Sequence, residues 1–346
     1  MVMATPITST KLSIRYTSHS ISIEDVAKLS INNSELFSPQ LASHKPLVTL
    51  GFCMKNCEKQ IEDAINSILD QDFPHDMLEA IFVDDGSKDC TLSIVNKWLT
   101  KTDIKMRVFS YGWRGLGQAR NTIFHNAAGD FLVWIDCDEI FPKRYVHDLV
   151  DFMNKHPQVG IAIGFPWILP SWSLVLSLEI LANYVEYIQA SRPRNLLWKT
   201  TRLPGTGGAI VRMDAMRQIK GFDDKITGVG EDQEVVLRMI AIGWQIGWVN
   251  SHYYETYGGM ATPRQLWEKY FWRGQGSQII YLKNKSMFSL VRISPIGSMI
   301  AGVMYAIESY KYTCLKKSFL IPLHFFFKKM AWFAGFVQGQ IQRHTI

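Results

Sequence analysis

The sequence is poor in cysteine, and the few it has do not pair. Five cysteines in 346 residues (Cys53, Cys57, Cys90, Cys137 and Cys314) are odd in number and form no paired C-x-x-C sets. This argues against a disulfide framework or a zinc site and favours a reducing compartment. Acidic residues run out near the end. None follows Glu308, while Lys311, Lys316, Lys317, Lys328, Lys329 and Arg343 account for the whole net charge of +6. Long apolar runs are also missing: Ile293 to Ile307 is uncharged but shorter than the ~20 residues needed to cross a bilayer, so it is expected to dip into one or lie flat. Met1 to Ser30 has no apolar core behind a basic segment, which predicts residence on the cytosolic side. Neither G-x-G-x-x-G nor a Walker sequence occurs, so the usual dinucleotide and ATPase readings lose ground. With 47% hydrophobic and 20% charged residues, the chain is rich for a soluble protein and too charged for a polytopic membrane protein.

What is present is a β/α alternation. Residues 1–45 are polar and are read as an extension without an assigned role. Leu47 to Phe52 reads as a buried strand, then Asn56 as the N-cap of a helix whose stripe is Ile61, Ala64, Ile65, Ile68 and Leu69. Ala80 to Val83 is a second strand, followed by a helix over Thr91 to Leu99. Met106 to Ser110, a helix over Leu116 to Ala127, and the strand Phe131 to Ile135 continue the pattern. Such units predict a mostly parallel central sheet flanked by helices. The Pro-rich Phe165 to Pro170 breaks the alternation. Trp172 to Ala190 then reads as an amphipathic helix that covers the sheet or lies on a membrane.

Two acidic clusters end strands on one edge of this sheet. Asp84-Asp85-Gly86-Ser87 closes the second strand, and Asp136-Cys137-Asp138 closes the fourth. A strand period of two puts Asp136 and Asp138 on one side. Ligands of open α/β sheets bind at that edge. Paired carboxylates there suit a divalent cation carrying a diphosphate, while the other cluster accepts hydrogen bonds from a base or ribose. Between them, Gly115-Leu116-Gly117-Gln118-Ala119-Arg120-Asn121 offers a flexible approach, and Arg120 suits phosphate or base contact.

In order and spacing, these segments resemble the donor half of a family 2 glycosyltransferase of the GT-A fold. The resemblance runs on through Gly205-Thr206-Gly207-Gly208-Ala209-Ile210, Gly221-Phe222-Asp223 and Gly230-Glu231-Asp232, spanning roughly residues 46–255. It implies that Asp84 or Asp85 binds the nucleotide base, that Asp136 and Asp138 serve ribose and metal, and that Asp232, with Glu231 beside it, is the catalytic base. Gly207 and Gly208 would let the backbone approach the sugar or acceptor. His252 is a candidate contact for diphosphate or metal. Arg273 lies in a segment similar to the aromatic, arginine-rich region that follows the base in many relatives. The Gln-x-x-Arg-Trp pattern of processive synthases is replaced by Tyr270-Phe271-Trp272-Arg273-Gly274, so a single sugar addition is expected.

These readings divide the chain into an extension (1–45), a GT-A catalytic domain (46–258) and a helical, basic and aromatic membrane-associated region (259–346). The expected activity is inverting, metal-dependent transfer from a nucleotide-sugar to a lipid-linked or glycan hydroxyl. The expected cation is Mg²⁺ or Mn²⁺, the expected location the cytoplasmic side of the cell membrane, and no nucleic acid partner is expected. The rival readings are a sugar nucleotidyltransferase and a non-catalytic membrane or nucleic-acid adaptor.

Overall fold

The computed structural model describes residues 48–168, 173–191, 203–224, 226, 229–256, 261–283 and 294–343. The extension over 1–45, and the part of the Pro-rich passage at 169–172, lie outside the described residues. An eight-stranded sheet organises the rest. Its first half is β1 (Val48–Met54), β2 (Leu78–Asp85), β3 (Lys105–Tyr111) and β4 (Phe131–Ile135), separated by helices α1 (Ile61–Leu69), α2 (Thr91–Trp98) and α3 (Leu116–Asn126). These strands stand parallel in the order β3-β2-β1-β4. Leu50, Phe52, Ile81, Phe82 and Val133 are fully buried, each contributing about 1.5–3 kcal/mol, and Phe52 stacks on Phe82 with ring centroids 4.3 Å apart.

The second half is mixed. It comprises β5 (Glu139–Ile140), α4 (Tyr145–Lys155), β6 (Val159–Ile168), α5 (Leu174–Ser191), β7 (Ala209–Arg212), α6 (Met213–Ile219), α7 (Glu231–Ala241) and β8 (Gln245–Glu255). Strand β7 runs antiparallel to both β4 and β6, and β5 antiparallel to β8, while β6 and β8 are parallel. Among the described residues, the helices α8 (Pro263–Lys283), α9 (Pro295–Thr313) and α10 (Ile321–Arg343) follow. Helix α10 packs on α8, α9 and α5, and α9 also packs on α5.

Three sequence expectations need correcting. Asn56 is no N-cap: it sits at φ 51°, its side chain accepts the Lys88 N–H at 2.8 Å and its own N–H reaches Ser87 Oγ at 2.9 Å, and the helix begins only at Ile61. The Pro-rich passage does not break the alternation, because β6 runs on through Pro166 to Ile168 and α5 is the next element. Strand β4 stops at Ile135, and a turn closed by Glu139 N–H to Asp136 O at 3.2 Å follows. Strand alternation therefore does not govern Asp136 and Asp138; the turn does.

A carboxylate cleft at the strand ends

The end of β2 sends its two aspartates opposite ways, as successive strand residues must. Asp84 is buried and accepts the Ser87 N–H at 3.2 Å and the Ser110 hydroxyl at 3.3 Å. It shapes the turn. Asp85 faces an open cleft of about 520 Å³, lined also by Cys53, Met54, Lys55, Trp113, Leu116 and Trp272. The N–H groups of Arg114 and Gly115 reach its two oxygens at 2.7 and 3.1 Å. Each oxygen keeps a lone pair for one more donor. Trp113 is 63% exposed beside it, with Lys55 Nζ 5.2 Å from its ring centroid. A flat aromatic face and an adjacent carboxylate form a slot for a planar base with an N–H edge.

Arg120, expected to reach donor phosphate or base, is instead 4% exposed on α3. Its guanidinium pairs with Glu231 and lies 4.0 Å from Asp136 Oδ1. Glu231 is buried on the first turn of α7 and its Oε2 has no hydrogen-bond partner among the described residues. Burial raises its pKa against the pull of Arg120, with Asp232 adding to the rise. Asp232 follows it and is half-buried, with Oδ1 accepting the Gln233 N–H at 2.7 Å. A methyl group on Gly205 would stand 3.4 Å from Asp232 Oδ2.

The strap Gly205 to Gly208 threads among these acids. A methyl group on Gly207 would lie 2.7 Å from Asp136 Oδ2 and closer still to Glu139 Oε1. Gly208 has φ +70° and its Cα faces the Tyr253 ring. Tyr253 donates to Gly207 O at 3.0 Å and Tyr145 to Gly208 O at 2.6 Å. Glycine is required here by carboxylates and a ring packed on the strap.

Behind Asp136 lies a second acidic layer that the sequence did not reveal. Glu139 and Glu255 are direct cross-strand partners on β5 and β8, a like-charge juxtaposition that disfavours double ionisation. Glu139 Oε2 accepts the Asp136 N–H at 2.9 Å. Burial, then Asp136, pushes Glu139 well above the usual carboxylate range. Burial pushes Glu255 up to about 8 despite Lys269, with Asp138 adding to the rise. From α8, Lys269 is lowered to about 8, by burial first and then Arg273, with Glu255 and Asp138 opposing. Lys269 and Arg273 thus bring positive charge to the Asp138–Glu255 side. The gathering is tight enough that Cys53, raised to about 12 chiefly by burial, also feels Arg120, Asp136, Glu231 and Asp85.

Among the described residues no three His, Cys, Asp or Glu side chains form a ready metal cage. Mg²⁺ and Mn²⁺ take oxygen ligands, and Mg²⁺ is commonly held by one or two carboxylates together with substrate phosphates. Asp136 and Asp138, with the unpartnered Glu255 Oε2 behind them, fit that mode. His252 does not join them. Its Nε2 lies 3.1 Å from the Tyr254 hydroxyl and its ring 5.3 Å from Trp167. Burial alone lowers its pKa, with no neighbouring charge involved.

Residues 49–219 match the family described as Glycosyl transferase family 2. The chain is similar to the poly(ribitol-phosphate) beta-N-acetylglucosaminyltransferase TarS of Staphylococcus aureus, 36% identical over 101 residues, which is 29% of this chain and 18% of TarS. It is also similar to the probable glycosyltransferase YdaM of Bacillus subtilis, 26% identical over 252 residues, 70% of this chain and 58% of YdaM. Both matches thus span less than two thirds of the relative's length. Among solved structures, the mannosyltransferase PcManGT of Pyrobaculum calidifontis, in complex with GDP-Man and Mn²⁺, superposes with a TM-score of 0.60 at 16% identity. That match covers 87% of this chain and 89% of the other. The fold is GT-A.

Proposed function

Because the chain belongs to glycosyl transferase family 2 through residues 49–219, we propose that it transfers a single sugar, with inversion, from a nucleotide-sugar to a hydroxyl of a lipid-linked or glycan acceptor. The observation that carries this is the gathering of Asp136 and Glu231 around Arg120, with Asp232 next in the chain, beside the cleft that Asp85 and Cys53 line. The relative named as acting on poly(ribitol-phosphate) supports a polymeric glycan acceptor. The apolar, basic C-terminal region supports action at the cytosolic face of the membrane.

In this reading the base slides between Trp113 and Asp85, whose free lone pairs accept a base N–H. Asp136 and Asp138 would hold the divalent cation, which supplies charge neutralisation for the diphosphate when bound. Lys269 and Arg273 add positive charge from α8 on the same side. Asp232 takes the proton of the acceptor hydroxyl as its oxygen bonds to the anomeric carbon. The bond from that carbon to the diphosphate breaks with its electron pair leaving on the diphosphate. Attack from the face opposite the leaving group inverts the centre. Arg120 and Glu231, locked together, fix the first turn of α7 that carries Asp232. Division at about residue 258 into catalytic and helical regions is part of the proposal.

The test is Asp232→Asn with a panel of nucleotide-sugars, with and without Mn²⁺. Loss of a general base costs about 10²- to 10⁴-fold, so transfer should fall by that factor while donor-induced thermal stabilisation persists, and the wild-type product should carry the inverted anomer by NMR. A variant that transfers normally, or a product of retained configuration, would overturn the reading.

A further inference from the structure

The outer face of α9 is apolar where a helix facing water should be charged. Ile296, Ile300, Val303, Met304 and Ile307 are exposed, Ile300 to 64%. At 3.6 residues per turn they fall within an arc of about 100°. The opposite side, with Gly302, Ala306 and Ser309, is buried against the protein. The short helix Lys316–Leu320 that links α9 to α10 presents exposed Lys316 beside exposed Phe319 and Leu320. Phe319 packs at a tilt against Tyr310, with ring centroids 4.9 Å apart. An apolar stripe ending in Lys316 and aromatic rings complements an anionic lipid surface, whose headgroups attract the cation while its acyl boundary accepts the stripe.

Lys316–Ile341 is by length and hydropathy a candidate to cross a membrane, but its packing forbids that. His324 and Lys328, inside the segment, bond buried Glu179 of α5 at 2.9 and 2.7 Å. Gly335 lets the α10 backbone rest on Phe271 O, and Gly274 lets α8 rest on Trp332 O. Helix α8 also carries Trp272 to the donor cleft. A crossing would strip Glu179 of both partners and pull α8 away from the site.

We propose that α9 and the α9–α10 turn form a docking platform that lies in the surface of an anionic bilayer without crossing it. This rests on the membrane part of the proposed function and is independent of the transfer chemistry.

The full chain should float with vesicles of phosphatidylcholine mixed with phosphatidylglycerol, and far less with phosphatidylcholine alone. Ile300→Glu with Met304→Glu, both at exposed positions, should weaken flotation at least about tenfold. Circular dichroism and nucleotide-sugar hydrolysis in solution should be unchanged, so a failure of docking and a failure of the transfer reading are read separately. On vesicles carrying the bound protein, an impermeant maleimide, read site by site by mass spectrometry, should label a Gln338→Cys variant as it labels the exposed Cys90. Shielding of position 338 until detergent is added would establish a crossing and overturn the proposal. Undiminished flotation of the double variant would overturn it too. So would a wild-type chain that ignores vesicles and self-associates through this face, shown by sedimentation that the double variant abolishes.

Discussion

In the proposed reading, Arg120 and Glu231 hold the first turn of α7 and Asp232 takes the proton. A buried ion pair is weak evidence for net stability, but removing one partner leaves an uncompensated charge and costs about 3–5 kcal/mol. Arg120→Met should therefore lower the urea midpoint steeply, because Glu231 already has one unpartnered oxygen. Glu231→Gln keeps a hydrogen-bond acceptor for the guanidinium and should reduce transfer less than Asp232→Asn does. The reverse ranking in steady-state kinetics would exchange the two roles. At this scale the placement of the motif aspartates was legible in the sequence, because Asp84 and Asp85 end an apolar strand, Asp136 and Asp138 follow one, and Asp232 opens a helix after a glycine. Arg120 was legible as a site residue but not in its contact, since nothing local says that the start of α7 folds back over it. Glu139, Glu255 and Lys269 were not legible at all. Their meaning comes from the β5–β8 pairing and from α8 lying across it.

The strap before β7 is the element on which the acids converge. Gly207→Ala would push a methyl into Asp136 and Glu139, moving the carboxylate proposed to serve the donor. Transfer and metal-dependent donor binding should both fall in this variant, with the fold retained by circular dichroism. Gly208→Ala should act on stability instead. Its left-handed backbone costs about 1–2 kcal/mol for an L side chain, and the Tyr253 ring 2.7 Å from the added methyl adds overpacking. Thermal melts of the two variants should separate these effects. Among elements, the four parallel strands and their helices were readable because apolar runs alternate with 3.6-period stripes. The antiparallel β7 and the passage of β6 through Pro166 were not. A four-residue strand offers no period to count, and proline argues against a central strand except at places such as the irregular β6–β8 register.

Across the whole molecule, folding redistributes the charge that the sequence crowds into its tail. Lys328 turns inward to Glu179, and Lys329 lies 3.9 Å from the Trp332 ring centroid, so the tail shows solvent fewer cations than its composition promises. The buried groups set opposite pH slopes. Burial opposes the charge on Glu179, yet Lys328 and His324 outweigh it and hold its carboxyl well below 4.5. A depressed folded pKa gives stability that is present above the unfolded value and is lost as pH falls below about 4.5 into strong acid. Glu255 works the other way: raised from 4.5 to about 8, it favours the protonated fold. Its contribution is complete below 4.5 and is lost as pH rises through about 8. Lys269, lowered from 10.5 to about 8, makes stability rise again with pH between those two values. Urea midpoints measured across pH should therefore peak in weak acid. Glu255→Gln should flatten the decline toward about pH 8. Glu179→Gln should weaken the protein at neutral pH, because His324 and Lys328 lose their buried anion, and should flatten the acid limb. If Glu179→Gln left the acid limb as steep as in wild type, the three-residue network would not be what pins α10 to α5.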